Sequence, residues 1–104
     1  MKYEILWTQN AEDQLSEHSI YIALNTGDVN QALSFIDKIK EESNKLNEFP
    51  YRGFNPNDSI IRRKGYKGLI IGSFALLYKI YDNDRKVVIE AFIHLKSDYK
   101  HLLY

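Results

Sequence analysis

The stretch GYKGLIIGSFALLYKIYDNDRKVVIEAFIHL, residues 65–95, decides how the rest of this chain is read. Successive side chains of a strand point to opposite sides of a sheet, so Phe74, Leu76, Tyr78 and Ile80 share one continuous apolar face. Asp82, Asn83 and Asp84 tolerate turn geometry, and the same alternation then puts Val87, Ile89, Ala91 and Ile93 on one side of the next strand. Upstream, residues 66–71 are rich in strand formers, and Gly72 with Ser73 gives a short reversal into Phe74. The stretch predicts three consecutive antiparallel strands whose apolar face must be covered by other elements.

The preceding residues supply that cover. Tyr3, Ile5 and Trp7 alternate with Glu4 and Leu6, which predicts a short first strand over residues 3–7. Thr8 stands where a helix N-cap belongs, Glu12 and Asp13 suit the positive end of the helix dipole, and Ala11, Leu15 and Ile22 mark a buried side, with Ala23 and Leu24 just off it. Asn25, Thr26 and Gly27 carry the stop signals. Asp28 and Gln31 have the spacing of a capping box, and Val29, Ala32, Leu33, Ile36, Ile39, Ser43 and Leu46 recur at three and four residues, predicting a second helix to about Glu48. So short a connection predicts an antiparallel helical hairpin.

Between Phe49 and Pro56, both prolines and Gly53 end the helix and make a crossing loop. Asp58 is placed to cap a short helical turn over residues 59–63, with Gly65 as its stop. Ser97 and Asp98 open a last short helix carrying Tyr99, Leu102 and Leu103. The expectation is an α+β fold: an N-terminal strand and an α-helical hairpin packed on a four-stranded antiparallel sheet, with a short C-terminal helix. One domain spanning residues 1–104 suffices, because a chain of this size buries a single core.

Composition narrows the function classes. No run of about 18 apolar residues exists to cross a bilayer, and the N-terminal MKYEILWTQNAED lacks the apolar core of a secretory signal, so a cytoplasmic protein with no membrane partner is expected. The absence of cysteine fits a reducing compartment and excludes thiolate metal sites, a cysteine nucleophile and thiol redox switching. His18 and His101 have no companion at ligand spacing, so neither a metal nor another cofactor is expected. Fourteen basic residues balance fourteen acidic ones, which makes long-range attraction to phosphate weak. A local exception is the run RRKGYK, residues 62–67, with four cations and no acid.

Taken in order, WTQNAEDQL, then YIA, a second helix ending in Phe49-Pro50, and the meander of residues 65–95 resemble the RelE/ParE toxin superfamily over nearly the whole chain. The most specific pieces are Trp7, Thr8 and Ala11 at the opening, Phe49-Pro50, and the strand from Gly72 to Tyr78. The resemblance implies the toxin of a bacterial type II toxin-antitoxin pair, a cognate antitoxin encoded beside it, and a target in replication or translation. RelE-like members cut messenger RNA on the ribosome with basic and tyrosine side chains, whereas ParE-like members act on DNA gyrase. Carried over residue by residue, the first lysine of the RelE pattern falls at Lys67, but the second falls at Leu69 and the arginine of the next strand at Ala75. The arginine beyond the last strand falls at Ser97, beside Lys96, and the terminal tyrosine near Leu103, beside Tyr104. Replacing arginine by alanine removes both the charge and the forked donors that grip phosphate. The resemblance therefore points to the ParE-like branch, with gyrase as the expected target.

Three sets of residues are candidates. Under the ribonuclease alternative, with ribosome and messenger RNA as partners, Lys67 and Lys96 would stabilise phosphate charge and His94 would move protons. On the sheet face away from the helices, Leu77, Lys79, Tyr81 and Phe92, with Val88 and Glu90, form an apolar surface rimmed by charge. Two occupants fit it: an antitoxin segment that folds on contact, or the chain's own C-terminal helix. Arg62, Arg63 and Lys64 form a basic patch with aromatic company from Tyr66 and Tyr51, which suits RNA or simply a solvated loop. A homodimer or a hetero-oligomer with the antitoxin fits, and so does a domain that keeps antitoxin binding without toxicity.

Overall fold

A computed structural model describes residues 2–57 and 59–96. The chain runs β1 (Glu4–Trp7), α1 (Gln9–Thr26), α2 (Val29–Asn44), two 3-10 turns (Lys45–Asn47 and Pro50–Arg52), α3 (Ser59–Arg63), β2 (Lys67–Ile71), β3 (Phe74–Tyr81) and β4 (Lys86–His94). The expected cap of α3 at Asp58 and the expected C-terminal helix from Ser97 lie outside the described residues.

The helix boundaries follow local chemistry. Thr8 is extended and its hydroxyl accepts the Ala11 N–H at 3.1 Å, so α1 starts there. Gly27 adopts φ 68°, which costs little without a Cβ, and its N–H closes the helix on the Ala23 carbonyl at 2.9 Å. Asp28 caps α2 by accepting from Asn30 N–H at 2.9 Å. The reciprocal bond expected from Gln31 is instead made by Thr26, whose hydroxyl accepts the Asp28 N–H at 3.1 Å. On the buried faces, Leu24 and Leu33 point outward, while Ser19 and Ser43 take inward positions, each donating to the carbonyl three residues back. That local bond satisfies a hydroxyl the apolar core could not.

The sheet order is β1-β4-β3-β2. Strands β2, β3 and β4 form the expected antiparallel meander, but β1 pairs with β4 in parallel, so the sheet is mixed and not wholly antiparallel. A parallel neighbour requires a crossover connection, and the helical hairpin, lying on one face, begins that crossover.

A second correction concerns β4. Leu77 pairs with Ala91 and Tyr78 with Ile89, leaving Glu90 as an extra residue, a β-bulge. Alternation therefore skips a step: Val87 and Ile89 face the helices, and beyond the bulge Phe92 does so too, while Ala91 and Ile93 turn to the opposite face with Ala75, Leu77 and Tyr66. Phe92, expected on the helix-free face, is 4% exposed in the main core and stacks on Phe74 at 5.0 Å. The bulge is held by the start of α1. Thr8 Oγ1 and Asn10 Nδ2 donate to the Glu90 carbonyl at 3.3 and 3.2 Å, and Gln14 Oε1 accepts the Phe92 N–H at 2.8 Å. β1 ends at Trp7, so these side chains continue the bonding that a longer strand would have made.

Candidate functional site

The register of the sheet puts the candidate residues in definite places. On the face away from the helical hairpin, Leu6 of β1 lies beside Val88 of β4, which lies beside Lys79 of β3. The Lys79 ammonium stands 4.7 Å from the centre of the Tyr66 ring, so the row continues to Tyr66. A parallel row runs Glu4, Lys86, Tyr81. Leu6 and Tyr81 are exposed by 36% and 43%, and Lys79, Val88 and Tyr66 are half-buried. Burial first, then the charge of Glu90 and the neighbouring Tyr81, raises the pKa of the Tyr66 hydroxyl. Leu77 belongs to this face but is 2% exposed, packed with Ala75, Ala91 and Ile93. Of the four residues expected to meet a partner, Lys79 and Tyr81 are accessible, Leu77 supports them from beneath, and Phe92 is on the other side of the sheet.

The residues of the ribonuclease alternative are not brought together. Lys67 pairs with Tyr78 of β3, whereas His94 pairs with Phe74. The two positions are four residues apart along β3, about 13 Å at ~3.3 Å per residue, and stand on strands to either side of it, about 10 Å apart. By alternation Lys67 shares the helix-side face with Leu69 and Ile71 and does not project from the free face. Its ammonium donates to Asn55 Oδ1 at 3.1 Å and lies 5.9 Å from the Tyr51 ring centre. His94 packs edge-on against Phe74 at 5.1 Å, and its Nδ1 accepts the Lys96 N–H at 3.1 Å. Leu69 and Ala75, which stand where the RelE pattern has cations, are 7% and 1% exposed within the two apolar clusters.

The basic patch is also divided. Arg62, Arg63 and Lys64 are exposed, and Arg62 Nη1 donates to the Pro56 carbonyl at 3.4 Å. Their expected aromatic companions are engaged elsewhere, Tyr66 under Lys79 and Tyr51 beside Lys67. Among the described residues, no three His, Asp or Glu side chains converge as metal ligands.

Two arrangements were not visible in the sequence. Asp82, read there as a turn residue, accepts hydrogen bonds from the hydroxyls of Tyr51 and, at 2.7 Å, Tyr3. These bonds, Tyr51 first, hold the carboxyl below its usual range, and the same interaction pushes Tyr51 up to about 12. His18 sits in a ring cluster with Phe74 at 4.6 Å and Phe35 at 5.1 Å. Burial, and then repulsion from His94, lowers its pKa. Both arrangements join residues far apart in the chain, with no local signal to betray them.

Comparison with known proteins adds to this geometry. A family model described as the ParE toxin of the type II toxin-antitoxin system parDE matches residues 5–99. Among solved structures, the chromosomal ParDE toxin-antitoxin system from P. aeruginosa superposes with a TM-score of 0.74 at 16% identity, over 90% of this chain and 97% of that one. The toxin-antitoxin complex RelBE2 from Mycobacterium tuberculosis gives 0.64 at 21% identity, over 90% and 92%. At such identities the likeness is one of fold. No curated protein sequence matches at a significant level.

Proposed function

Because the chain belongs to the ParE toxin family of type II toxin-antitoxin systems, we propose that it arrests growth by binding DNA gyrase and is neutralised by a cognate antitoxin. It acts without cleaving a substrate. The observation that carries this reading is the burial of Leu69 and Ala75 together with the separation of Lys67 from His94. Stabilising a pentavalent phosphate needs several fixed cations around one point, and the positions that would carry them are filled by apolar side chains of the core. Binding is what remains for a surface of this kind.

The antitoxin docks on the helix-free face, along the row from Leu6 through Val88 and Lys79 to Tyr66, with Tyr81 beside it. A half-exposed apolar strip flanked by Glu4, Lys86 and Glu90 suits an amphipathic segment that folds as it binds. Support for an antitoxin partner also comes from the solved relatives, a ParDE toxin-antitoxin system and a RelBE2 toxin-antitoxin complex.

Purified protein added to a gyrase supercoiling assay and, in parallel, to programmed ribosomes with primer-extension readout tests the reading. Loss of supercoiling with intact message is the expected result. Cleaved message with unaffected supercoiling would refute it. The protein encoded beside this chain should restore supercoiling, and Tyr81→Glu should weaken that protection.

A further inference from the structure

The helical hairpin carries an apolar surface on its side away from the sheet. Two residues, about 200° of helix, separate Ile20 from His18 on α1 and Leu33 from Phe35 on α2, and His18 and Phe35 are the rings that meet Phe74 of the sheet. Ile20 and Leu33 therefore point outward. They also lie side by side, because the Lys40 ammonium pairs with the Glu12 carboxylate, and in an antiparallel hairpin that register brings Ile20 beside Leu33 and Ala23 beside Val29. Leu24 extends the surface one turn beyond Ile20. Ile20, Leu24, Val29 and Leu33 are 59, 79, 64 and 53% exposed, about 500 Å² of mainly apolar surface, a size at which a patch on a single chain is often functional. Exposed apolar side chains elsewhere are scattered. In the crossing loop, the buried Tyr78 hydroxyl donates to the Pro50 carbonyl at 2.8 Å and accepts the Gly53 N–H at 3.2 Å, and Phe54 and Gly68 exchange both backbone hydrogen bonds, at 2.8 and 2.9 Å. That clamp leaves the Phe54 ring over Gly68, on the sheet face opposite Lys67 and Tyr51, so the loop's rings form no single surface.

Charge decides what can cover the hairpin. Between His18 and Asp37 the only charged side chain is Asp28, which is engaged as the cap of α2. No lysine or arginine stands between Lys2 and Lys38. An anionic membrane surface or a nucleic acid would find no cation on α1 to hold it and would meet Asp13 and Glu17 instead. A second copy of this chain meets no such obstacle. A two-fold axis sets a surface against itself, so any net charge within it would face its own image. This surface has none, and the zero net charge of the whole chain adds no long-range repulsion between copies. We propose that two copies of this protein associate through the outer faces of their hairpins, packing Ile20, Leu24, Val29 and Leu33 of one against the same residues of the other. The patch supplies more than half of the ~800 Å² that each partner gives to a stable interface, and the exposed, uncharged Ser16, Asn25 and Asn30 around it provide a polar rim. The hairpin's outer face lies across the molecule from the row proposed for the antitoxin and does not rest on that assignment.

Sedimentation equilibrium of the full chain from about 1 to 500 µM provides the test. An equilibrium between monomer and dimer is expected, equally strong at low and high salt because no ion pair holds it. Leu24→Glu and Leu33→Glu each place like charges in symmetry-related positions and should weaken the dimer by at least about tenfold, with the helical circular dichroism unchanged. Leu33→Met, which keeps the apolar volume, should preserve it. In protein labelled with nitrogen-15, amide shifts that depend on concentration should fall within residues 16–37. A monomer at every concentration, a dimer that survives both glutamates, a dimer lost at high salt, a dimer dissolved by Tyr81→Glu, or binding of the monomer to anionic vesicles would each overturn the proposal.

Discussion

Replacing Gly53 with alanine separates a reading of the backbone from a reading of the packing, because the two predict opposite signs. Gly53 has φ −74° and ψ 173°, a conformation open to any residue. On backbone grounds alone, alanine would restrict the unfolded chain and stabilise the protein by about 0.4–1 kcal/mol. The packing says otherwise: a Cβ would lie 2.4 Å from both the Gly68 carbonyl oxygen and the Tyr78 hydroxyl. Neither neighbour can yield, since one is strand backbone and the other a fully buried side chain. The loop must lift, which breaks the Phe54–Gly68 pair at about 0.5–1.5 kcal/mol per hydrogen bond and strands the Tyr78 hydroxyl at about 1–3 kcal/mol. The expected loss is about 2–6 kcal/mol, a fall in Tm of at least roughly 8 °C for a domain of this size, measured by calorimetry or circular dichroism. A double-mutant cycle with Tyr78→Phe sharpens the test. Removing the hydroxyl relieves one of the two clashes, so the pair should couple by at least about 1 kcal/mol. A Gly53→Ala protein as stable as the parent, or a strictly additive cycle, would refute the account of the clamp.

Three more outcomes follow from the same structure. Phe92→Ala should cost about 3–5 kcal/mol and Tyr81→Ala less than about 1 kcal/mol, as urea unfolding would read; equal costs would mean that the bulge at Glu90 does not redirect β4. His18 has a lowered pKa and is favoured neutral in the fold, so it binds protons less readily there than in the unfolded chain. Stability should therefore be constant above its unfolded pKa of about 6.5 and fall as the pH drops below it, and denaturation midpoints across pH 5–8 should flatten in His18→Phe. Thr8→Ala removes both the cap of α1 and a donor to the Glu90 carbonyl and should cost about 1–2 kcal/mol, visible as a lowered Tm.

Much of the secondary structure was legible because it depends on neighbours in the chain. Thr8, Gly27, Asp28 and Gly65 act within a few residues of themselves, and the structure places each where its chemistry predicts. The candidate site was legible only in part. Leu77, Lys79 and Tyr81 share a face because β3 is regular, but Phe92 does not join them, since one unpaired residue reverses the alternation and no count of apolar positions reveals it. The lost cations at Leu69 and Ala75 could be read from the resemblance, whereas their burial in two separate clusters could not. The bond from Tyr51 to Asp82 spans 31 residues and that from Tyr3 spans 79, beyond any local pattern.

The amino-acid sequence by itself determined the helical hairpin, the meander and the short helix before β2, because caps, turn residues and side-chain periodicity are decided over one or two turns of chain. Only the tertiary structure decided that β1 runs parallel to β4, that Phe92 belongs to the helix side, and that the crossing loop is held to the edge of β2 by the backbone pairing of Phe54 with Gly68. Those features depend on which distant backbone groups complete each other's hydrogen bonds and on how closely Gly53 and Gly68 let two segments approach. Both are properties of the packed molecule and of no single stretch of it.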